Sequence, residues 1–198
     1  VVNVMAVTDR SKGTRGISAF LVEKGAPGFS VGTIERKMGF RGSHTCELVF
    51  DDCEIPSENL LGKEGDGFKI AMQVLDKGRL MMGACALGAT EKLIDLCAGY
   101  AETRVTFGEP IINRQAIQWM LVNMAMDAYA IRNSVCHAAW KMDRGERATK
   151  EAAMVKVIAT EAAGRAADSA VPIHGGMGYM KGMAFERYYP PLRLWRIW

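Results

Sequence analysis

The sequence has no long uninterrupted apolar run, no block of like charge and no cysteine pair with CxxC spacing. Asp76, Lys77 and Arg79 interrupt the longest apolar helical segment, so we expect no membrane span. The 25 basic and 22 acidic residues are scattered along the chain, which argues against a nucleic-acid partner. These absences predict a soluble globular protein.

Cysteine and histidine are also too few, or too widely spaced, for several kinds of site. Five cysteines, an odd number, predict reduced thiols and not a disulfide framework, which is typical of a bacterial cytoplasm or a mitochondrial matrix. The three histidines lie far apart and in no zinc-binding pattern, so no metal is expected. The chain begins in a strand-like segment without an initiator methionine or a basic leader, which predicts a fragment.

The first part of the chain, up to about residue 61, is rich in β-branched residues and is divided by turn sequences. The predicted strands are residues 1–8, 17–23, 29–35 and 46–55. Glycine and proline at residues 9–13 and 24–28 favour tight turns, and Pro56 ends the last strand. We therefore predict one small antiparallel sheet.

From Gly65 onward the apolar residues recur with a helical period. In the first helix a single stripe runs from Phe68 to Tyr100 and contains one charged residue, Arg79. The remaining members of this stripe are Met72, Leu75, Met82, Ala86, Ala89, Leu93 and Leu96. The spacing predicts that the helix buries this stripe.

Two more helices follow, and they predict an antiparallel bundle. The second has a stripe at Ile117, Met120, Met124, Ala128, Ile131, Val135 and Ala138, and it stops near residue 145. The third, residues 150 to about 171, has a face of small residues at Ala162, Ala163, Ala166 and Ala170. A fourth helix would be needed to close the core. Instead, residues 192–198 form an apolar and aromatic ending without a capping residue, which predicts a truncation.

Six short motifs follow one another along the chain. They are MGFRGSHT at residues 38–45, the VFDD to GDGF passage at residues 49–68, LDKGR at 75–79, RVTFG at 104–108, QAIQ at 115–118 and HGGMGY at 174–179. Their order and spacing resemble those of acyl-CoA dehydrogenases, from the end of the middle β-domain through the C-terminal helical domain. The resemblance implies an α+β fragment, with part of a β-barrel-like domain at residues 1–61 and a truncated helical-bundle domain at residues 62–198.

Arg79 requires an explanation even without the family, because an arginine on an apolar stripe must meet an anion or hydrogen-bond acceptors. An internal ion pair, for instance with Asp76, is one interpretation, and an anionic ligand is the other. By resemblance, Leu75, Asp76, Gly78 and Arg79 line the entrance that the acyl-CoA takes. Some relatives place their catalytic base at the turn of Gly78, and glycine cannot serve as one.

Two segments are candidates for phosphate binding. Residues 104–108 combine a cation, a hydroxyl and a glycine, although an ordinary loop at a helix end is the alternative. The glycines of residues 175–178 can approach a diphosphate closely, or can merely cap a helix. The resemblance implies that Arg104, Thr106, Phe107 and Gln115 bind FAD. It also implies that His174, Gly175 and Gly176 reach across a subunit interface to the adenosine part of a neighbour's FAD.

The chain departs from the family pattern at three places. Family members commonly have glutamine at Pro172, an acidic residue near Gly182, and Arg-Asp at Pro190 and Pro191. A proline has neither an N–H nor an amide side chain, so the resemblance does not extend to a cofactor contact at Pro172. Members also continue past the equivalent of Trp198 with a glutamate, so the catalytic glutamate is expected directly after Trp198, and no catalytic residue is assigned within the chain.

The activity that the resemblance implies is FAD-dependent α,β-dehydrogenation of an acyl-CoA thioester to a trans-2-enoyl-CoA, as in fatty acid β-oxidation. The implied partners are the acyl-CoA, an electron-transfer flavoprotein as acceptor, and further copies in a homodimer or homotetramer. Because the N-terminal domain and the glutamate base are missing, this polypeptide alone is expected to be inactive. The alternatives are an acyl-CoA oxidase and a noncatalytic assembly fragment of the same fold.

Overall fold

The computed structural model describes residues 1–197, so Trp198, after which the catalytic glutamate is expected, lies outside the described residues. The chain forms two compact units, Val1–Leu75 and Asp76–Trp198. Small antiparallel sheets precede a helical bundle, which confirms the predicted α+β architecture. The predicted domain boundary between residues 61 and 62 stays a prediction.

The first unit contains two antiparallel sheets where one was expected. Strands β1 (Val2–Val7), β2 (Ile17–Val22) and β5 (Leu60–Leu61) form a sheet in the order β1-β2-β5. Strands β3 (Phe29–Ile34) and β4 (Cys46–Phe50) pair separately. The single-sheet prediction is wrong: β2 pairs with β1 and β5, whereas β3 pairs with β4 in a sheet of its own.

The second unit is built from helices that share one core. Helix α1 (Gly67–Thr103) begins in the first unit, and α2 (Gln115–Asp143), α3 (Thr149–His174) and α4 (Ala184–Trp195) follow. The core includes Leu93, Met124 and Ile131 together with the alanine face of α3. Burial of a shared apolar surface of this kind is what stabilises a helical bundle.

Helix α4 is the fourth helix that the sequence analysis did not find. It places Phe185 and Leu192 in the core, with 4% and 1% of their surfaces exposed. Pro190 and Pro191 lie inside this helix, although proline normally interrupts a helix by removing a backbone donor. The burial of the apolar face of α4 outweighs this local preference, so α4 supplies the fourth helix that closes the core.

The buried side of α1 is rotated from the predicted stripe. The residues of α1 that are buried in the second unit are Gly83, Ala86, Thr90, Leu93, Cys97 and Ala101, so only Ala86 and Leu93 belong to both sets. Tyr100 is partly buried, whereas Phe68, Met72 and Leu75 are exposed. The apolar pattern missed this face because it includes a glycine and Thr90, whose hydroxyl donates a 2.8 Å hydrogen bond to the carbonyl of Ala86.

The predicted faces of α2 and α3 are confirmed. On α2, Met124, Ala128, Ile131 and Ala138 are buried. On α3, the buried residues include Ala162, Ala163, Ala166 and Ala170, which are at most 1% exposed. Both helices pack through small or evenly spaced apolar residues that the 3.6-residue period identifies directly.

Within residues 1–197, none of the helices combines the length and the apolar character that crossing a bilayer requires. The same residues contain no group of three or more histidine, cysteine, aspartate or glutamate side chains arranged to hold a metal ion.

Candidate functional site

A short β-hairpin between α1 and α2 carries two of the predicted cofactor residues, Thr106 and Phe107, and a third, Arg104, directly precedes it. Strands β6 (Val105–Thr106) and β7 (Glu109–Pro110) pair antiparallel. The two turn residues, Phe107 and Gly108, both have positive φ, 52° and 83°. Positive φ at both positions is typical of the tight turn that joins twisted antiparallel strands. The Phe107 ring at the tip is 97% exposed.

Arg114, which the sequence analysis did not single out, holds this hairpin. Its Nη2 donates to the Thr106 carbonyl at 2.6 Å, and its Nε donates to Thr106 Oγ1 at 3.3 Å. Its guanidinium carbon lies 5.3 Å from the centre of the Phe107 ring. One signal was available: Arg114 is the N-cap residue of α2, where serine, threonine, asparagine or aspartate is usual.

Arg104 follows the last residue of α1, and its backbone is fixed at both polar atoms. Its N–H donates to Tyr100 at 2.8 Å, and its carbonyl accepts from Ile111 at 2.9 Å. The guanidinium of Arg104, in contrast, forms no hydrogen bond or ion pair with any residue in the range 1–197. An exposed arginine without an internal carboxylate partner is available for an external anion.

The glycine cluster begins where α3 ends. Gly175 has φ 58° and ψ −141°, a conformation that requires glycine. A Cβ added at Gly175 or Gly176 would meet no atom within 4 Å, whereas one at Gly178 would lie 2.4 Å from the carbonyl oxygen of Val171. Gly178 is therefore needed for packing, and the first two glycines present open backbone.

His174, the last residue of α3, is held in the core beside these glycines. It is 6% exposed, and its Nδ1 donates to the Ala170 carbonyl at 2.9 Å, because a carbonyl oxygen can only accept. Its ring stacks on Tyr100 with 4.2 Å between centroids and contacts Phe185 at 4.4 Å. Burial lowers the pKa of His174 below its usual value, so the neutral ring has Nε2 as a free acceptor.

These segments line one cleft of about 540 Å³ in the second unit. Its polar lining comprises Arg104, Thr106, Arg114 and His174 together with Gly175 and Gly176, and apolar residues such as Ile111 and Ile117 complete it. None of the described residues that line it is acidic. Donors and cations without carboxylates suit an anionic ligand.

The cleft brings together five of the seven predicted cofactor residues, from two segments about 70 positions apart in the sequence. Phe107 and Gln115 do not line it, since Phe107 points into solvent and Gln115 is exposed at the start of α2. Pro172, where the resemblance implied no cofactor contact, contributes to the wall.

The predicted substrate residues lie on α1. Arg79 Nη1 donates to Asp76 Oδ1 at 3.0 Å, so Arg79 has an internal ion-pair partner. The other oxygen of Asp76 accepts a 2.6 Å hydrogen bond from Thr149 Oγ1, at the first turn of α3. Gly78 is exposed with open space around it, and Leu75, in the first unit, is 46% exposed.

Two family models match the chain, one to each part. The model described as "Acyl-CoA dehydrogenase, middle domain" matches residues 1–53, and that described as "Acyl-CoA dehydrogenase, C-terminal domain" matches residues 65–198. Together they span both the strand region and the helical region in the order predicted from the motifs.

Individual proteins give the same result. The chain is 49% identical over 193 residues to an acyl-CoA dehydrogenase of Bacillus subtilis (strain 168), covering 98% of this chain and 51% of the relative. It is 48% identical over 198 residues to an acryloyl-CoA reductase (NADH) of Anaerotignum propionicum, covering 100% and 50%. The solved structure of butyryl-CoA dehydrogenase from Megasphaera elsdenii superimposes with a TM-score of 0.95 at 43% identity, covering 99% of this chain and 51% of that chain. The chain thus spans about half the length of the curated relatives it matches.

Proposed function

Because the chain belongs to the acyl-CoA dehydrogenase family, we propose that it forms the cofactor-binding helical part of an FAD-dependent enzyme that oxidises an acyl-CoA thioester to a trans-2-enoyl-CoA. The observation that carries the proposal is the cleft in which the free guanidinium of Arg104 lies with Thr106 and the open backbone of Gly175 and Gly176. A family match without such a cleft would support common ancestry alone.

The lining fits the diphosphate and adenosine side of FAD. Arg104 supplies a charge that no described residue neutralises, and Gly175 and Gly176 leave backbone room for a phosphate. His174 offers a neutral acceptor, Nε2, held in place by its bond to Ala170. Phe107 and Gln115 lie just outside the cleft and are proposed to contact the cofactor at its rim.

On the substrate side, we assign Leu75, Asp76, Gly78 and Arg79 to binding of the acyl-CoA. Each oxygen of Asp76 accepts a hydrogen bond, one from Arg79 and one from Thr149. This carboxylate is therefore proposed to orient Arg79 and is a poor candidate for a base. The reaction needs a base and an acceptor. FAD, when bound, supplies the acceptor of the hydride, and the base is proposed to lie outside residues 1–197.

We propose that the electrons pass to an electron-transfer flavoprotein. The proposed substrate is a short-chain acyl-CoA, as the name of the butyryl-CoA dehydrogenase neighbour suggests. The Anaerotignum relative is named a reductase, which is the same conversion in the opposite direction. Assays with butyryl-CoA and with the corresponding enoyl-CoA would establish the direction. The bacterial cytoplasm or the mitochondrial matrix stays the predicted location.

A homodimer or homotetramer is also proposed. Helix α2 exposes Trp119, Val122, Met126 and Tyr129 at alternating steps of three and four residues, with exposed fractions of 53% to 72%. A regular apolar stripe of this kind is suited to burial against a second helix. Light scattering on the intact gene product should give a multiple of the monomer mass, and a monomeric mass would contradict this assembly.

The test of the cofactor assignment is FAD binding by the intact gene product, with Arg104→Met as the variant and Arg132→Met as the control. Arg132 pairs with Glu91 on the exposed surface and does not line the cleft. Loss of a charged hydrogen bond at Arg104 should weaken FAD binding by about ten- to a hundred-fold. If the native protein bound no FAD and did not oxidise butyryl-CoA, the noncatalytic alternative would replace the proposal.

A further inference from the structure

Arg114 lies beside the proposed cofactor residues, and neither the sequence motifs nor the family resemblance assigns it a role. We propose that Arg114 is a positioning residue of the cleft: its guanidinium fixes the Thr106–Phe107–Gly108 turn, so that Arg104 and Thr106 face the diphosphate. The inference deepens the proposed function and rests on it.

The first support is the number of contacts that one guanidinium makes to a single turn. Two of its nitrogens donate to Thr106, at 2.6 Å to the carbonyl and 3.3 Å to the hydroxyl, and its central carbon lies 5.3 Å from the centre of the Phe107 ring. Glu109, the partner of Thr106 in the hairpin, is 3.9 Å from Nη2. A planar guanidinium can make these contacts at once, whereas a lysine ammonium cannot.

The second support is that the turn needs such a partner. Phe107 is a bulky residue in the left-handed region, with φ 52°, and its ring is 97% exposed. Conformations of this kind cost about 1–3 kcal/mol and persist where surrounding contacts determine them. Neither the packing of the exposed ring nor the backbone preference of phenylalanine stabilises this positive φ. The contacts of Arg114 with Thr106 and with the Phe107 ring are the ones that do.

The third support is connectivity to Arg104. Arg104 directly precedes β6, and its carbonyl accepts from the Ile111 N–H at 2.9 Å, just after β7. The hairpin therefore sets the direction in which the Arg104 side chain leaves the backbone. Arg114 and Thr106 both line the cleft, so a shift of the turn would change the shape of the cleft.

The control variant comes from the other end of the same helix. Arg144 lies 4.8 Å over the Trp140 ring and pairs with Glu146 at 2.7 Å, so it reproduces the arginine-on-aromatic contact with a nearby carboxylate. It is separated from Arg114 by the 29 residues of α2, about 43 Å of helical rise. Arg144→Met thus removes the same kinds of contact as Arg114→Met, but at a position far from the cleft.

The experiment measures Kd for FAD and for ADP on the intact gene product and its variants. Arg114→Met should weaken both by about ten-fold and Arg114→Lys by less, while Arg144→Met should change neither by more than about two-fold. In the absence of ligand, hydrogen exchange at the amides of residues 105–109 should be faster in Arg114→Met than in the native protein, and it should be unchanged in Arg144→Met. In an Arg104→Met background the effect of Arg114→Met should fall to about two-fold, because a positioning residue acts through the groups it positions.

Two results would overturn the inference while the proposed function stands: native affinity in Arg114→Met, or undiminished weakening by Arg114→Met in the Arg104→Met background. Failure of the native protein to bind either FAD or ADP would instead remove the proposed function itself. Arg114→Lys serves as the folded variant should Arg114→Met lose solubility. Native affinity in Arg114→Lys together with native exchange at residues 105–109 would also count against the inference.

Discussion

Replacing Gly83 with alanine is expected to destabilise the helical unit, although alanine is the better helix former. Gly83 is buried on α1 where it meets α2 and α3. An added Cβ would lie 2.3 Å from Val155 Cγ1 and 3.2 Å from Val135 Cγ2. Neither valine can rotate away freely, since β-branched side chains in helices keep one preferred rotamer.

Two effects of known size oppose each other at this position. Removing a glycine from a helix interior stabilises by about 1 kcal/mol. Forcing one extra carbon into a packed core typically costs about 1–3 kcal/mol, and a 2.3 Å approach belongs at the upper end. The expected net result for Gly83→Ala is a loss of about 1–2 kcal/mol.

The control is Gly88→Ala on the same helix. Gly88 is exposed, and an added Cβ there would meet nothing within 4 Å, so only the favourable helix term of about 1 kcal/mol applies. Thermal midpoints measured under identical conditions should fall for Gly83→Ala and rise for Gly88→Ala. In a Val155→Ala background, which removes the clashing methyl group, Gly83→Ala should lose its destabilising effect. A Gly83→Ala protein as stable as Gly88→Ala would refute the close packing of these three helices.

Three further outcomes follow from buried or partly buried groups. Burial raises the pKa of Cys97 to about 12, so a thiol reagent at pH 8 should label exposed Cys85 and spare Cys97 until urea unfolds the protein; mass spectrometry of the labelled peptides checks this. Burial lowers the pKa of His174 in the folded protein below its unfolded value of 6.5. The folded state is therefore fully stable above pH 6.5, where the ring is neutral, and it loses stability as the pH falls from 6.5 toward the folded-state pKa. Thermal midpoints at pH 7.5 and 5.5 should therefore differ less in His174→Phe than in the native protein, and an equal difference would contradict the assignment. Thr149→Val should cost about 1 kcal/mol because it leaves one oxygen of Asp76 without its donor, while Thr149→Ser should retain native stability in urea unfolding.

The faces of α2 and α3 were predictable because they depend on local periodicity alone. Met124, Ile131 and the alanines of α3 repeat with the helical period, and no distant residue has to be known to see it. The face of α1 was not predictable in the same way. One buried residue of this face is Gly83, where α1 has no room for a Cβ; a glycine has no apolar side chain and therefore gives no signal in an apolar pattern.

Helix α4 and the division into two sheets depended on long-range competition. Pro190 and Pro191 signal the end of a helix locally, and only the core that receives Phe185 and Leu192 reverses that preference. The alternating pattern of the first unit likewise predicted that the strands pair, but not which strands pair: β2 pairs with β1 and with the distant β5, and β3 pairs with β4.

For the site, the sequence by itself determined the family and the two segments that carry it, because RVTFG and HGGMGY are contiguous patterns that can be read without coordinates. Only the tertiary structure decided that Arg104 and Gly175 line one cleft, that Arg79 is held by Asp76, and that Arg114 secures the hairpin. The physical reason is that a motif specifies backbone conformation over a few residues, whereas the partners of a charged side chain depend on which distant elements the packing of the core brings beside it.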